Sequence, residues 1–239
     1  MSENARVLRF AVIICLACSV LVSAAAIGLR DRQEANLKLD IQKNILKAVG
    51  LMDPMFTPEQ VGETYQSRIS GIVLTADGTV VEGRRPDEVD PEKEPDLLRL
   101  YQRIDDGRVV AYAFPIVGKG LWSTLYGYFA LEGDLNTVMG ITFYKHGETP
   151  GLGAEIEKPW FQDNFVGKKI LDDDGELASV KVVKGKAADT HPNDTEHYVD
   201  GISGATITAQ GVTEMVGRTI RQYEPYFAKI RGGGGEKST

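Results

Sequence analysis

The chain has 239 residues, a length that suits one globular domain with appendages and can bury a substantial core. A net charge of −7 and a pI near 5.1, with no basic run interleaved with aromatics, argue against a nucleic-acid surface. Its two cysteines, Cys15 and Cys18, both fall in an apolar N-terminal stretch, so the polar remainder cannot build a disulfide framework or a thiolate zinc site.

Residues 10–29 carry no charge, and twenty such residues span roughly 30 Å of hydrocarbon as a helix. A cleaved signal peptide is the rival reading, with Ser23-Ala24-Ala25-Ala26 as small residues at a cleavage site. The apolar run continues through Ile27-Gly28-Leu29, which favours a retained anchor. Arg6 and Arg9 on one flank nearly balance Arg30, Arg32 and Lys38 on the other, so charge does not decide orientation. Within the anchor, Cys15 and Cys18 read as packing residues.

Leu37, Ile41, Ile45, Ala48 and Val49 keep helical spacing, and Gly50 supplies a stop. The expected organisation is an anchor over 1–30, a connecting helix and linker over 31–60, a folded domain over 61–231 and a flexible tail over 232–239. Residues 69–75 and 79–81 around Asp77-Gly78 predict a hairpin. The charged, proline-containing stretch 84–95 predicts a solvated loop.

Residues 109–117, 125–131 and 138–144 are β-branched and aromatic runs separated by turn residues, which predicts adjacent strands of a mainly antiparallel, twisted sheet. The connection Gly118-Lys119-Gly120-Leu121-Trp122 either sets Trp122 against a ligand or folds a hairpin with a half-buried tryptophan. Pro159-Trp160-Phe161 opens a short helix, 178–183 predicts a further strand and 185–197 a polar excursion. A last helix is expected over 209–226, where Val212, Met215, Val216, Thr219, Ile220 and Tyr223 share a face. The class is α+β: one N-terminal transmembrane helix, then a sheet domain with flanking helices.

Immediately before the last helix runs Asp200-Gly201-Ile202-Ser203-Gly204-Ala205-Thr206-Ile207-Thr208. Three hydroxyls and two glycines at a helix entrance suit a phosphate, because glycine frees backbone N–H groups and the helix presents its positive end. The same residues equally suit an ordinary helix-entry loop with a Ser or Thr cap.

Asp200 to Thr206 resembles the flavinylation motif of FMN-binding domains, in which the closing threonine carries FMN through a phosphoester bond; here that residue is Thr206. With the anchor and the loop Gly147-Glu148-Thr149-Pro150-Gly151-Leu152-Gly153, nearly the whole chain resembles the C subunit of the bacterial Na+-translocating NADH:quinone oxidoreductase. Both motifs are shared with the G subunit of a related ferredoxin-linked ion-translocating complex. The stretches 18–23 and 44–51 favour the former.

The resemblance implies covalent FMN, attached from FAD by a Mg²⁺-dependent flavin transferase that reads Asp200 and Gly201. Ser203, Gly204, Ala205 and Thr206 match the rest of the motif, and Thr208 is a second hydroxyl able to hold the phosphate or to compete as the attachment point. An isoalloxazine ring needs a flat apolar contact and nearby donors, which implies that the 148–153 loop converges with 203–208. Leu152 and Trp122 offer the contact; Glu148, Thr149, Gly151 and Gly153 offer polar groups or backbone. The alternative for 148–153 is a surface turn.

The implied role is a single-electron relay among the other subunits on the way from NADH to ubiquinone, with sodium export by the whole translocase. It places the chain in the bacterial inner membrane, single-pass, with the FMN domain on the periplasmic side and membrane lipid as a neighbour. No Gly-x-Gly-x-x-Gly follows a strand, so the chain has no nicotinamide site of its own. Lys119, Lys145 and Lys168 are candidate phosphate partners. His146, His191 and His197 lack metal spacing, and loop histidines are ordinarily solvated. Two other readings remain at this level: a non-redox membrane-anchored binding domain whose Ser-Gly-Ala-Thr only caps a helix, and a processed periplasmic FMN-binding protein.

Overall fold

The computed structural model describes residues 3–232. The chain forms two units, Met1–Ile41 and Gln42–Thr239. The described residues of the first unit, 3–41, lie within helix α1 (Glu3–Ala48), which exposes Phe10, Ile13, Leu16, Leu21 and Ile27. Leaving such side chains in water costs about 1.5–3 kcal/mol each relative to burial. The helix is long and apolar enough to cross a membrane. No helix end falls at the expected boundary near residue 30, where an Arg30–Glu34 pair at 2.8 Å supports the turn. The end comes where Gly50 predicts it: the Leu51 N–H reaches back to the Leu46 carbonyl at 2.8 Å, and Gly50 adopts φ +69°.

In the second unit, strands β1 (Ile69–Thr75), β2 (Leu97–Asp105), β3 (Arg108–Lys119), β4 (Thr124–Glu132) and β5 (Val138–Lys145) pair in that order, all antiparallel. Alternation along the strands gives the sheet two apolar faces. Tyr112, Phe114, Ile116 and Gly118 face the last helix, α5 (Thr206–Gly232); Phe114 stacks on Tyr223 at 4.5 Å, and Gly118 leaves room for Met215. On the opposite face Tyr101, Ala113, Ala130 and Gly140 align in register, and Gly140 sits directly under the Ala48 carbonyl. There Ile45, Leu46, Ala48 and Val49 are buried, so the C-terminal turns of α1 form part of the core. Helix α2 (Pro58–Arg68) begins with a capping box between Thr57 and Gln60 and leads into β1.

The expected hairpin around Asp77-Gly78 forms but is short: Thr75 N–H donates to the Thr79 carbonyl at 2.9 Å and Val81 N–H to the Val73 carbonyl at 2.8 Å. Leu74 and Val80 bridge between those bonds, and β1 pairs along its whole length with β2. Arg99, Gln102, Arg103 and Asp105 break the apolar alternation that would mark β2 as a strand. Three of these carry tertiary bonds: Gln102 Nε2 donates to the Tyr226 hydroxyl at 3.3 Å, Arg103 Nη1 donates to the Val49 carbonyl at 2.8 Å, and Arg68 and Arg103 both pair with Asp105. The 84–95 stretch is folded rather than merely solvated, with Pro86 and Val89 buried and Arg84 paired to Glu94 at 2.7 Å.

The expected strand at 178–183 shortens to β6 (Lys181–Val182), which pairs in parallel with β7 (Tyr198–Val199) as a separate small sheet. Between them the polar excursion contains two short helical turns, α4 (Ala187–Thr190) and a 3-10 turn at Thr195–His197. A short helix, α3 (Pro159–Gln162), starts at its proline as expected. Helix α5 starts at Thr206, three residues earlier than its apolar stripe suggests, and continues past Pro225 to Gly232. Apart from Gly232, the tail expected over 232–239 lies outside the described residues.

Candidate functional site

Glu148 joins three chain segments. It is 5 % exposed. Its Oε1 accepts the backbone N–H of Trp122 at 2.9 Å and of Ser123 at 3.1 Å, and its Oε2 accepts Leu121 N–H at 3.2 Å and the Thr208 hydroxyl at 2.6 Å. Burial alone would raise this carboxyl. The Thr208 hydroxyl and the three N–H groups outweigh it and hold Glu148 below the usual carboxylate range. Glycine makes the packing possible: a Cβ on Gly120 would lie 2.5 Å from Glu148 Oε1, and one on Gly153 would lie 2.7 Å from Thr208 Oγ1. The expected convergence of the 148–153 loop with the 203–208 segment is therefore built around a buried anion.

The two threonines of the motif part company here. Thr208 is 1 % exposed and its hydroxyl is committed to Glu148, so it is not an accessible phosphate ligand. Thr206 is exposed, and neither its hydroxyl nor that of Ser203 makes a hydrogen bond among the described residues. Ala205 occupies the position before α5, its carbonyl accepting the Ala209 N–H at 2.9 Å. Alanine has no side-chain acceptor, so the helix starts without the Ser or Thr cap that a plain helix-entry loop would supply. Gly204, at φ +76°, turns the chain into the helix and packs against Leu152, where a Cβ would come within 2.8 Å of Cδ2.

The rest of the segment from Asp200 to Ala205 is tied into the fold. Ile202 and Ala205 are buried, Asp200 Oδ1 accepts the Ala187 N–H at 2.8 Å, and Gly201 passes close to the Val183 carbonyl. Thr149 and Gly151 form the exposed tip of the other loop, the Thr149 carbonyl accepting Leu152 and Ala154 N–H groups at 3.1 Å. Trp122 is 71 % exposed rather than half-buried; with Leu121, Leu152 and Ile207 it leaves flat apolar surface on these converging segments.

A cavity of about 170 Å³ adjoins Thr206, lined by Val182, Val183, Lys184, Ile202, Ala209, Gln210 and Thr213. Lys184 has no ion pair among the described residues and was not among the lysines singled out from the sequence. Two of those have other partners: Lys145 lies over the Tyr126 ring at 5.1 Å, and Lys168 donates to the Thr195 carbonyl at 2.7 Å. The nearness of Lys184 to Thr206 arises from the β6–β7 pairing, which no local pattern announces. A free hydroxyl, uncapped first-turn N–H groups, a cation beside a cavity, and exposed apolar side chains including the Trp122 indole fit a phosphorylated ligand with a flat aromatic end.

Residues 120–221, which span all of these groups, match the FMN-binding domain family. The chain is 36 % identical to the C subunit of the Na(+)-translocating NADH-quinone reductase of Yersinia pestis, over 95 % of this chain and 93 % of that one. It is 38 % identical to the same subunit of Vibrio anguillarum, covering 92 % of each. The crystal structure of the corresponding subunit from Parabacteroides distasonis superposes with a TM-score of 0.73 at 35 % identity, covering 83 % of this chain and 96 % of that one. Fold and near full-length similarity agree: the chain belongs to the C-subunit family of the Na(+)-translocating NADH-quinone reductases.

Proposed function

We propose that this chain is a membrane-anchored electron carrier whose FMN is joined to Thr206 by a phosphoester bond. The observation that carries the reading is the contrast between Thr206, exposed with a free hydroxyl, and Thr208, buried and bonded to Glu148. FMN, when bound, supplies reversible one-electron chemistry. The first-turn N–H groups of α5 and Lys184 would face the phosphoryl group. Trp122, Leu121, Leu152 and Ile207 would bound the ring and keep water from its faces, while Ser203, Thr149 and the backbone at Gly151 and Gly153 would supply donors. Glu148 acts one step back, holding these segments in place.

In this reading the chain serves the sodium-translocating NADH:ubiquinone reductase, receiving and passing electrons between other subunits without oxidising NADH itself. Helix α1 anchors it in the bacterial inner membrane, with the FMN domain on the periplasmic side. A flavin transferase would install FMN, recognising the segment from Asp200 to Thr206. The test is intact mass together with in-gel fluorescence after denaturation, on the full chain coexpressed with such a transferase. An added mass of FMN minus water, mapped to the Thr206 peptide, is the expected result. An unmodified chain would return the site to non-covalent ligand binding.

A further inference from the structure

His146 follows directly on β5, in a loop where a histidine is ordinarily solvated, yet its side chain is only 7 % exposed. Its Nδ1 accepts the backbone N–H of Glu148 at 3.1 Å. An accepting Nδ1 keeps its lone pair, so a neutral imidazole here carries its proton on Nε2. That Nε2 lies 2.8 Å from Glu157 Oε1, but the two are not aligned for a hydrogen bond. One residue on, the Gly147 N–H donates to the Ser123 hydroxyl at 2.5 Å.

These contacts form a chain of support. His146 fixes the backbone of Glu148, and the Glu148 carboxylate fixes Leu121, Trp122, Ser123 and Thr208. We infer that His146, as its Nε2–H tautomer, is a positioning residue that holds the Trp122 loop and the start of α5 in register through Glu148. The effect on flavin rests on the proposed FMN site; the support of the loop does not.

Three histidines in the chain make the imidazoles separable by nitrogen NMR on the full protein in detergent micelles, labelled with ¹⁵N-histidine. The expected spectrum has His146 with an unprotonated Nδ1 coupled to the Glu148 amide. A proton on Nδ1 in the neutral protein would overturn the inference whatever any variant does.

Two substitutions add the functional arm. His146→Phe keeps a ring and removes the acceptor. His146→Asn places an amide oxygen the same number of bonds from Cα as Nδ1, so it can take the Glu148 N–H. In His146→Phe, amide exchange at Leu121, Trp122 and Ser123 should rise about tenfold, the scale of one lost hydrogen bond, and the visible circular dichroism of bound flavin should weaken. His146→Asn should restore both to within about twofold of the parent. Unchanged exchange in a folded His146→Phe, or no rescue by His146→Asn, would sink the idea. If His146→Phe does not fold, the wild-type tautomer decides. If the parent chain takes up no FMN, the flavin reading fails while the exchange result still judges His146.

Discussion

The Thr208 hydroxyl donates to Glu148 Oε2 at 2.6 Å across 60 residues of sequence, and both side chains are buried. That bond ties the first turn of α5 to the loop after β5, while the other acceptor sites of Glu148 hold the β3–β4 connection. In Glu148→Gln, an amide NH₂ must face N–H donors that a carboxylate oxygen accepts, and at least one buried donor loses its partner. Stability should fall by about 2–4 kcal/mol, read from the urea midpoint of the full chain in detergent. A loss below about 0.5 kcal/mol would mean that the carboxylate is not what holds the three segments.

The same group sets a pH dependence. Glu148 lies below the usual carboxylate range, because hydrogen bonds from Thr208, Trp122, Ser123 and Leu121 outweigh the opposing effect of burial. A depressed folded-state value means that the stabilisation is complete above the unfolded value, about 4.3, and is lost as pH falls through the lower folded value. The stability difference between the parent chain and Glu148→Gln should therefore shrink as pH falls from about 6 to 3. Asp105, Asp77 and Asp134 are also depressed and give both proteins a shared acid slope, so the difference curve is what reports on Glu148. A constant difference across that range would count against the ionised carboxylate.

Substitution of the motif hydroxyls separates attachment from architecture. Thr206→Ala should abolish denaturation-resistant flavin and leave the urea midpoint within about 0.5 kcal/mol, since the hydroxyl is exposed and unbonded. Thr208→Ala should do the reverse. Covalent flavin persists, and stability drops by about 1–2 kcal/mol as Glu148 loses a donor. Flavin surviving denaturation in Thr206→Ala would move the attachment site elsewhere.

Much of the domain is legible in the amino-acid order because local chemistry repeats there. β3, β4 and β5 are β-branched and aromatic runs bounded by turn residues, and the stripe from Val212 to Tyr223 marks α5. β2 escapes because Arg99, Gln102, Arg103 and Asp105 take the polar pattern of a loop, and their tertiary partners cannot be seen locally. The hydroxyl motif before α5 is equally readable, but which of its threonines is free depends on the distant Glu148. His146 is hidden for the same reason: its burial comes from packing, while its neighbours in sequence are those of a surface turn.

Lys184 is the residue whose role depends most on the fold, and it gives the sharpest electrostatic prediction. It lines the cavity beside Thr206 and has no acidic partner among the described residues. A phosphodiester there would carry one negative charge, which Lys184 would partly offset across a solvent-exposed gap. The extra stability conferred by FMN loading should therefore be smaller in Lys184→Gln than in the parent by about 0.5–1 kcal/mol at low salt. The deficit should fade as ionic strength rises toward about 1 M, where the screening length is about 3 Å. Lys145→Gln serves as the control, because Lys145 sits over the Tyr126 ring and should change nothing in the loading increment. The measurement is the difference in melting temperature between loaded and unloaded protein at two salt concentrations. Equal increments for Lys184→Gln and the parent at low salt would remove Lys184 from the phosphoryl site and leave the uncapped N–H groups of α5 as its holders.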